Sequence, residues 1–300
     1  MIKIDSLTKQ MDGKVILDDI SLHIKKGSIY GIIGVNGAGK TTLIRHMVGS
    51  YEGTSGVVEM DGENIFHSIE SKSKLVFIPD EFPEVFGNRV DDAMELYDSL
   101  YPTFDRERYA LLMEKFGRSG KETIRHFSKG MKKQILFALA LASKPEYLIM
   151  DEPFDGLDPQ IRKIIWDILI EDVTNRGMTI FISSHHLSEL DTMCNDIAFM
   201  HQGKILFEQS MDELKENYCK MQVVFDQAKE YYDVESTFEV LHHSAIGRIH
   251  TYVLKNHPEL IENYMLQKEP IIFELVPVSL EEIFLHTLGG QEDEIKEITY

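Results

Sequence analysis

The 300-residue chain is long enough for one large domain with a smaller appendage, and its 43% hydrophobic and 27% charged residues are those of a folded globule. A formal net charge of −19 argues against long-range attraction to nucleic-acid phosphates or anionic headgroups. Two cysteines, Cys194 and Cys219, give neither a disulfide framework nor a zinc pattern, and no stretch reaches the roughly 18 apolar residues of a membrane helix, so a soluble chain is expected.

Residues 2–7 alternate as a strand does, a turn is expected at Asp12 and Gly13, and 15–24 contain a second strand. Residues 28–34 (SIYGIIG) are a short apolar run of β-formers, the pattern of a strand buried on both faces. A glycine-rich loop follows, and 41–48 have helical character. Residues 57–60 and 63–66 flank an Asp-Gly turn and read as a hairpin, and 75–78 are an apolar strand stopped by Pro79. From about 80 to 143 the texture becomes helical. Val90, Ala93, Met94, Tyr97 and Leu100 recur at helical spacing, as do Tyr109, Leu112, Met113 and Phe116. Strands return at 147–150 and 178–183 around a helix at 161–173, and a hairpin (197–200, 205–207) leads to a helix at 211–217. Beyond about 219 the strand–helix order resets. Strand-like 223–225, 238–241, 248–254 and 271–275 alternate there with helical 258–266 and 280–288. This predicts a small α+β domain over 219–290 and a charged, frayed tail at 291–300.

Two constellations carry chemistry. Gly34-Val-Asn-Gly-Ala-Gly39-Lys40-Thr41 fits G-x-x-x-x-G-K-[ST] between a strand and a helix. Glycines permit positive φ and bring N–H groups against phosphate oxygens, and the helix N-terminus adds a positive dipole. Asn36, Gly37, Ala38, Gly39, Lys40, Thr41 and Thr42 are therefore expected to hold a triphosphate. Lys40 should reach its β- and γ-phosphates, and the Thr41 hydroxyl should ligate Mg²⁺. The second constellation is Asp151-Glu152, which ends a buried strand, where ligands of open α/β sheets sit. Asp151 is expected on the metal, directly or through water, and Glu152 on the attacking water. Ser128 is a good N-cap before an apolar helical stripe (Met131, Ile135, Ala138, Leu139, Ala142), and a Ser-x-Gly helix entrance can receive an anion.

Together the segments 34–42, Phe127-Ser-Lys-Gly-Met-Lys-Lys-Gln134, Asp151-Glu-Pro-Phe-Asp-Gly-Leu-Asp158 and Ser183-Ser-His185 have the order and spacing found in ABC-transporter ATPase subunits, which the chain resembles over about 1–217. The end of the chain, with Val278-Ser-Leu-Glu-Glu-Ile-Phe-Leu285, resembles ATPases paired with export permeases for antibiotics, peptides or lipids. The resemblance implies an α/β P-loop NTPase core: a RecA-like mixed sheet with helices, an antiparallel β subdomain and a helical insert at about 82–145. This core would span 1–218, with the α+β domain after it. It further implies hydrolysis of ATP with Mg²⁺ in a head-to-tail dimer with a second, identical or different, ATPase subunit. Each ATP would lie between the phosphate loop of one subunit and Ser128 and Gly130 of the other. Asp155, Gly156, Leu157 and Asp158 would couple the two sites, and His185 would meet the γ-phosphate and the attacking water beside Glu152 and Lys40. His186 and the pair His242 and His243 match no such role.

Two positions depart from the family pattern. Met11 stands where an aromatic residue stacks on adenine, and Asp80 stands where a glutamine approaches the metal. The implied partner is an integral-membrane permease, docked near 81–88 with Phe82-Pro-Glu-Val-Phe86 in the contact. The implied place is the cytoplasm, peripheral on the inner face of the cell membrane, with no nucleic acid bound. The alternative is a soluble mechanical ATPase of the same class acting on ribosomes or DNA. Such relatives carry two ATPase domains or long coiled-coil insertions, neither of which this sequence has. A small-molecule kinase shares only the phosphate loop.

Overall fold

A computed structural model describes residues 1–83, 87, 89–185, 187–226 and 229–287. Strands β1 (Ile2–Met11) and β2 (Lys14–Ile24) pair antiparallel, with Met11 opposite Lys14. The two residues between them, Asp12 and Gly13, both have positive φ (49° and 76°), as the twist of a two-residue hairpin requires. β3 (Ile29–Ile33) is buried at every position and leads through the glycine loop into α1 (Lys40–Met47). Next come β4 (Ser55–Met60), β5 (Glu63–Asn64), α2 (Ile69–Ser73) and β6 (Leu75–Ile78). The expected helical stretch holds α3 (Val90–Leu100), α4 (Arg106–Lys115) and α5 (Lys129–Ala142). β7 (Tyr147–Asp151), α6 (Pro159–Arg176), β8 (Thr179–Ser184), α7 (Leu187–Leu190), β9 (Asp196–His201), β10 (Lys204–Ser210) and α8 (Met211–Asn217) follow.

These strands make two sheets, one ordered β2-β1-β4-β5 and the other β10-β9-β3-β8-β7-β6. In the larger sheet β3, β8, β7 and β6 run parallel, with Ile33 level with Ser184, Asp151 level with Ser183 and Ile78 level with Met150. That register brings the C-terminal ends of four strands to one edge, where a ligand crevice of an α/β sheet opens. α1 shares one apolar cluster with both sheets. Its Leu43, Ile44 and Met47 are fully buried with Ile4 and Leu17 of the first sheet and Tyr147 and Phe181 of the second. Each such side chain stabilises the fold by roughly 1.5–3 kcal/mol, so the start of α1 is anchored where the chemistry is expected.

The chain divides into two compact units. The first is Met1–His185 with Ala198–Phe207, and the second holds 187–197 and the described residues from 208 onward. The second unit contains β11 (Cys219–Val224), α9 (Lys229–Thr237), β12 (Val240–Ile246), β13 (Ile249–Leu254), α10 (Pro258–Lys268), β14 (Ile272–Val276) and α11 (Leu280–Thr287). Its antiparallel sheet is ordered β12-β13-β11-β14 over a core that includes Met221, Val223, Val234, Tyr252 and Ile261. The tail at 291–300 lies outside the described residues. Among the described residues no helix is long and apolar enough to cross a membrane.

Candidate active site

The loop after β3 is shaped by backbone freedom at its end. Gly39 has φ +111°, a conformation that residues with side chains rarely adopt, and a Cβ there would stand only 3.2 Å from the Ile16 carbonyl, so the position selects glycine. All seven residues from Asn36 to Thr42 line a cavity of about 250 Å³. Asp80, Asp151 and Glu152 complete its polar wall, and Ile16 and Val35 its apolar one.

Of this lining, Thr41 contacts Asp151 and Lys40 contacts Glu152, and both acids also contact residues beyond the lining. Thr41 Oγ1 donates to Asp151 Oδ2 at 2.8 Å, and Ser183 Oγ donates to Asp151 Oδ1 at 2.6 Å. The same serine accepts from the Glu152 amide at 3.1 Å, so it fixes both carboxylate-bearing residues. Lys40 is 6% exposed; its ammonium donates to the Gly34 carbonyl and stands 3.4 Å from Glu152 Oε1. The other Glu152 oxygen accepts from the His185 amide at 3.2 Å and lies 2.8 Å from His185 Nδ1. Glu152 is thus held between a lysine and a histidine, on a backbone with φ +43°. Oxygen atoms of Glu152 and Asp155 and a ring nitrogen of His185 fall within 4.8 Å of one another.

Asp80 reaches the same cavity from the end of β6, and its carboxylate lies 2.9 Å from the Lys129 ammonium. Burial pulls its pKa upward, but Lys129 and Lys133 outweigh that and hold it below the usual carboxylate range. Lys129 also lies 3.4 Å from Asp155. Ser128 caps α5 by accepting from the Met131 amide at 3.2 Å, and Asp158 caps α6 by accepting from the Gln160 and Ile161 amides at 3.1 and 3.0 Å. Gly130 packs against the main chain of Gly156, which has φ +77°, and Leu157 beside it is buried. Ser128, Gly130, His185 and 155–158 lie outside the cavity lining, and so does Met11, which is 41% exposed at its hairpin turn.

The positioning of Asp151 and Glu152 by Ser183 and the wall formed by Ile16 were not legible as site features. The one available signal was a serine pair closing an otherwise apolar strand. A separate groove of about 360 Å³ is lined by Asp80, Glu81, Phe82, Lys129, Lys132, Lys133 and Leu136. The rest of the expected docking segment, Glu84, Val85, Phe86 and Asn88, lies outside the described residues, as does His186.

A glycine loop feeding a helix at the C-terminal edge of a parallel sheet, with a Thr–Asp pair facing it, defines a P-loop nucleotide-binding protein. Comparison with known proteins narrows the class. A family profile described as ABC transporter matches residues 17–155. The chain is 31% identical over 291 residues to the ABC transporter ATP-binding protein YtrB of Bacillus subtilis (strain 168), covering 97% of this chain and 99% of that protein. It is 31% identical over 307 residues to the bacitracin transport ATP-binding protein BcrA of Bacillus licheniformis, covering 97% and 98%. In fold it is similar to the dimeric post-hydrolysis state of the ATP-binding cassette MJ0796 bound to ADP and Pi, with a TM-score of 0.63 at 21% identity, covering 70% of this chain and 99% of that one. The chain belongs to the ATP-binding subunits of ABC transporters.

Proposed function

We propose that this subunit hydrolyses Mg-ATP and that dimer closure around ATP, followed by hydrolysis and product release, drives a separate membrane permease of the export type. The observation that carries the reading is the Glu152 carboxylate, held between Lys40 at 3.4 Å and His185 at 2.8 Å beside the phosphate loop. A carboxylate so placed can accept a proton from water in line with a γ-phosphate, and Lys40 can neutralise charge on the transferred group.

The donor set fits magnesium, since a hydroxyl and a carboxylate are hard oxygen ligands. Thr41 and Asp151 would hold the ion, with Asp80 as a third candidate across the cavity. When bound, it supplies charge neutralisation on the β- and γ-phosphate oxygens. Asn36 to Thr42 would bind the phosphates, Met11 would touch the adenine, and Ser128 and Gly130 would close on the nucleotide of a second, identical or different, ATPase subunit. Asp155 to Asp158 would relay between the two sites. The subunit would then sit on the cytoplasmic face of the membrane through its permease, with no nucleic-acid partner. The bacitracin transport protein supports the export branch by its likeness over nearly the whole chain.

The test is Glu152→Gln. The variant is expected to bind ATP with wild-type affinity, to release phosphate at least about 100-fold more slowly, and to elute as a dimer with ATP on gel filtration. A Glu152→Gln protein that hydrolyses at the wild-type rate, or stays monomeric with ATP, refutes the mechanism.

A further inference from the structure

Glu152 occupies a left-handed backbone conformation that residues with side chains avoid, so its neighbours must hold it there. Its N–H is fixed by the Ser183 hydroxyl at 3.1 Å, with the Ser183 carbonyl at 3.2 Å. Its C=O is fixed from a different element. The ammonium of Lys133, on α5, donates to the Glu152 carbonyl at 3.0 Å and to the Pro79 carbonyl at 3.0 Å. The Asp151 carbonyl and the Asp80 carboxylate each lie 3.5 Å from the same nitrogen. One ammonium therefore ties α5 to the C-terminal ends of the neighbouring strands β6 and β7.

The lysine is not there for packing. It is 1% exposed at the start of a run, Lys133 to Ala142, that is buried throughout, where an apolar side chain would avoid the cost of burying a charge. Burial does push its pKa down, with Asp80 opposing. What an apolar residue cannot supply is three N–H donors aimed at main-chain carbonyls.

We propose that Lys133 is a positioning residue for ATP hydrolysis: by holding the Glu152 carbonyl it sets the direction in which the Glu152 carboxylate faces the phosphate cavity. This rests on the reading of Glu152 as the group that activates water. A displacement of that carboxylate by about 1 Å can lower the chemical rate by about 100-fold while leaving the phosphate loop untouched. The loss therefore belongs in kcat and not in ATP affinity.

The experiment uses the full chain and compares Lys133→Met with wild type, each also in the Glu152→Gln background. Lys133→Met is expected to lower kcat about 10- to 100-fold, to change KM and the ATP dissociation constant by less than about threefold, and to have no further effect once Glu152 is glutamine. Lys133→Arg, which restores N–H donors, is expected to recover most of the rate. Lys133→Ala, which leaves room for water to solvate the carbonyls, serves if Lys133→Met does not fold. Wild-type kcat in a folded truncation, a loss carried by KM, or an equal further loss in the Glu152→Gln background overturns the proposal. Wild-type hydrolysis by Glu152→Gln alone instead overturns the reading of Glu152 on which it rests.

Discussion

Gly130→Ala should separate two segments that the fold presses together. An ideal Cβ on Gly130 would lie 2.2 Å from the Gly156 carbonyl oxygen and 3.1 Å from its carbon, where ordinary contact begins at 3.4 Å. The obstacle is main chain, so a rotamer change cannot relieve it, and one segment must retreat by about 1 Å. Retreat is resisted on the far side, because Leu157 is buried and Asp158 is fixed to the first turn of α6 by two hydrogen bonds. Overpacking of this kind costs about 1–3 kcal/mol, and the better helix propensity of alanine offsets less than about 1 kcal/mol. A net loss of about 1–2 kcal/mol in a unit of this size lowers Tm by roughly 2–8 °C. Differential scanning calorimetry without nucleotide reads that shift, and a phosphate-release assay reads the accompanying loss of turnover. A Gly130→Ala protein that melts with wild type and turns over at the wild-type rate would refute the contact and the reasoning built on it.

Asp158→Ala removes the acceptor for two amides at the start of α6 and should cost about 1 kcal/mol in urea unfolding, with Asp158→Asn retaining most of the stability. Thr41→Ala breaks the 2.8 Å link to Asp151 and should raise the Mg²⁺ concentration needed for half-maximal turnover, while ATP binding without divalent metal stays at wild type. His46 is 1% exposed, and burial lowers its pKa while its bond to the Thr42 carbonyl opposes. The fold therefore favours the neutral ring, the unfolded chain binds more protons below pH about 6.5, and stability should fall as pH drops below about 6.5. Replacing His46 with Gln should flatten that segment of a urea-midpoint-against-pH curve, and an unchanged slope would count against the assignment.

What the sequence made legible follows from where the chemistry is encoded. The glycine loop is contiguous, and Asp151 and Glu152 stand at a strand end, so local pattern alone locates them. The bonds of Ser183 and Lys133 cross between elements, and no local period reports them. Secondary structure was lost where burial is slight. The sequence pattern marks no helix at α9, where Val234 is the one fully buried residue among its described side chains, which leaves the 3.6-residue period almost no signal. The sequence pattern points to a strand at 238–241, whereas β12 spans Val240–Ile246, because five of its seven residues are exposed on a sheet edge and carry no inside–outside alternation. Met11 is assigned to the adenine through the family pattern alone; it stands beside the two-residue turn at Asp12 and Gly13, and Ile16 on β2 lines the cavity wall.

The first turns of α5 then have two duties that a rigid helix cannot perform separately. Ser128 and Gly130 are the residues proposed to meet a second subunit's nucleotide. One position on from the cap, Lys129 lies 2.9 Å from Asp80 and 3.4 Å from Asp155, and one turn further Lys133 grips the Glu152 carbonyl at 3.0 Å. Residues four apart on a helix move together, so a contact that displaces Ser128 must also load the ties to Asp80, Asp155 and Glu152. Substituting Lys129 with Met keeps the helix and removes its links to both acids. It should leave the kcat of preformed, cross-linked dimers near wild type while raising the ATP concentration needed for dimer assembly. If the cross-linked dimers instead lose turnover, Lys129 acts on Glu152 itself, and the two lysines share one task.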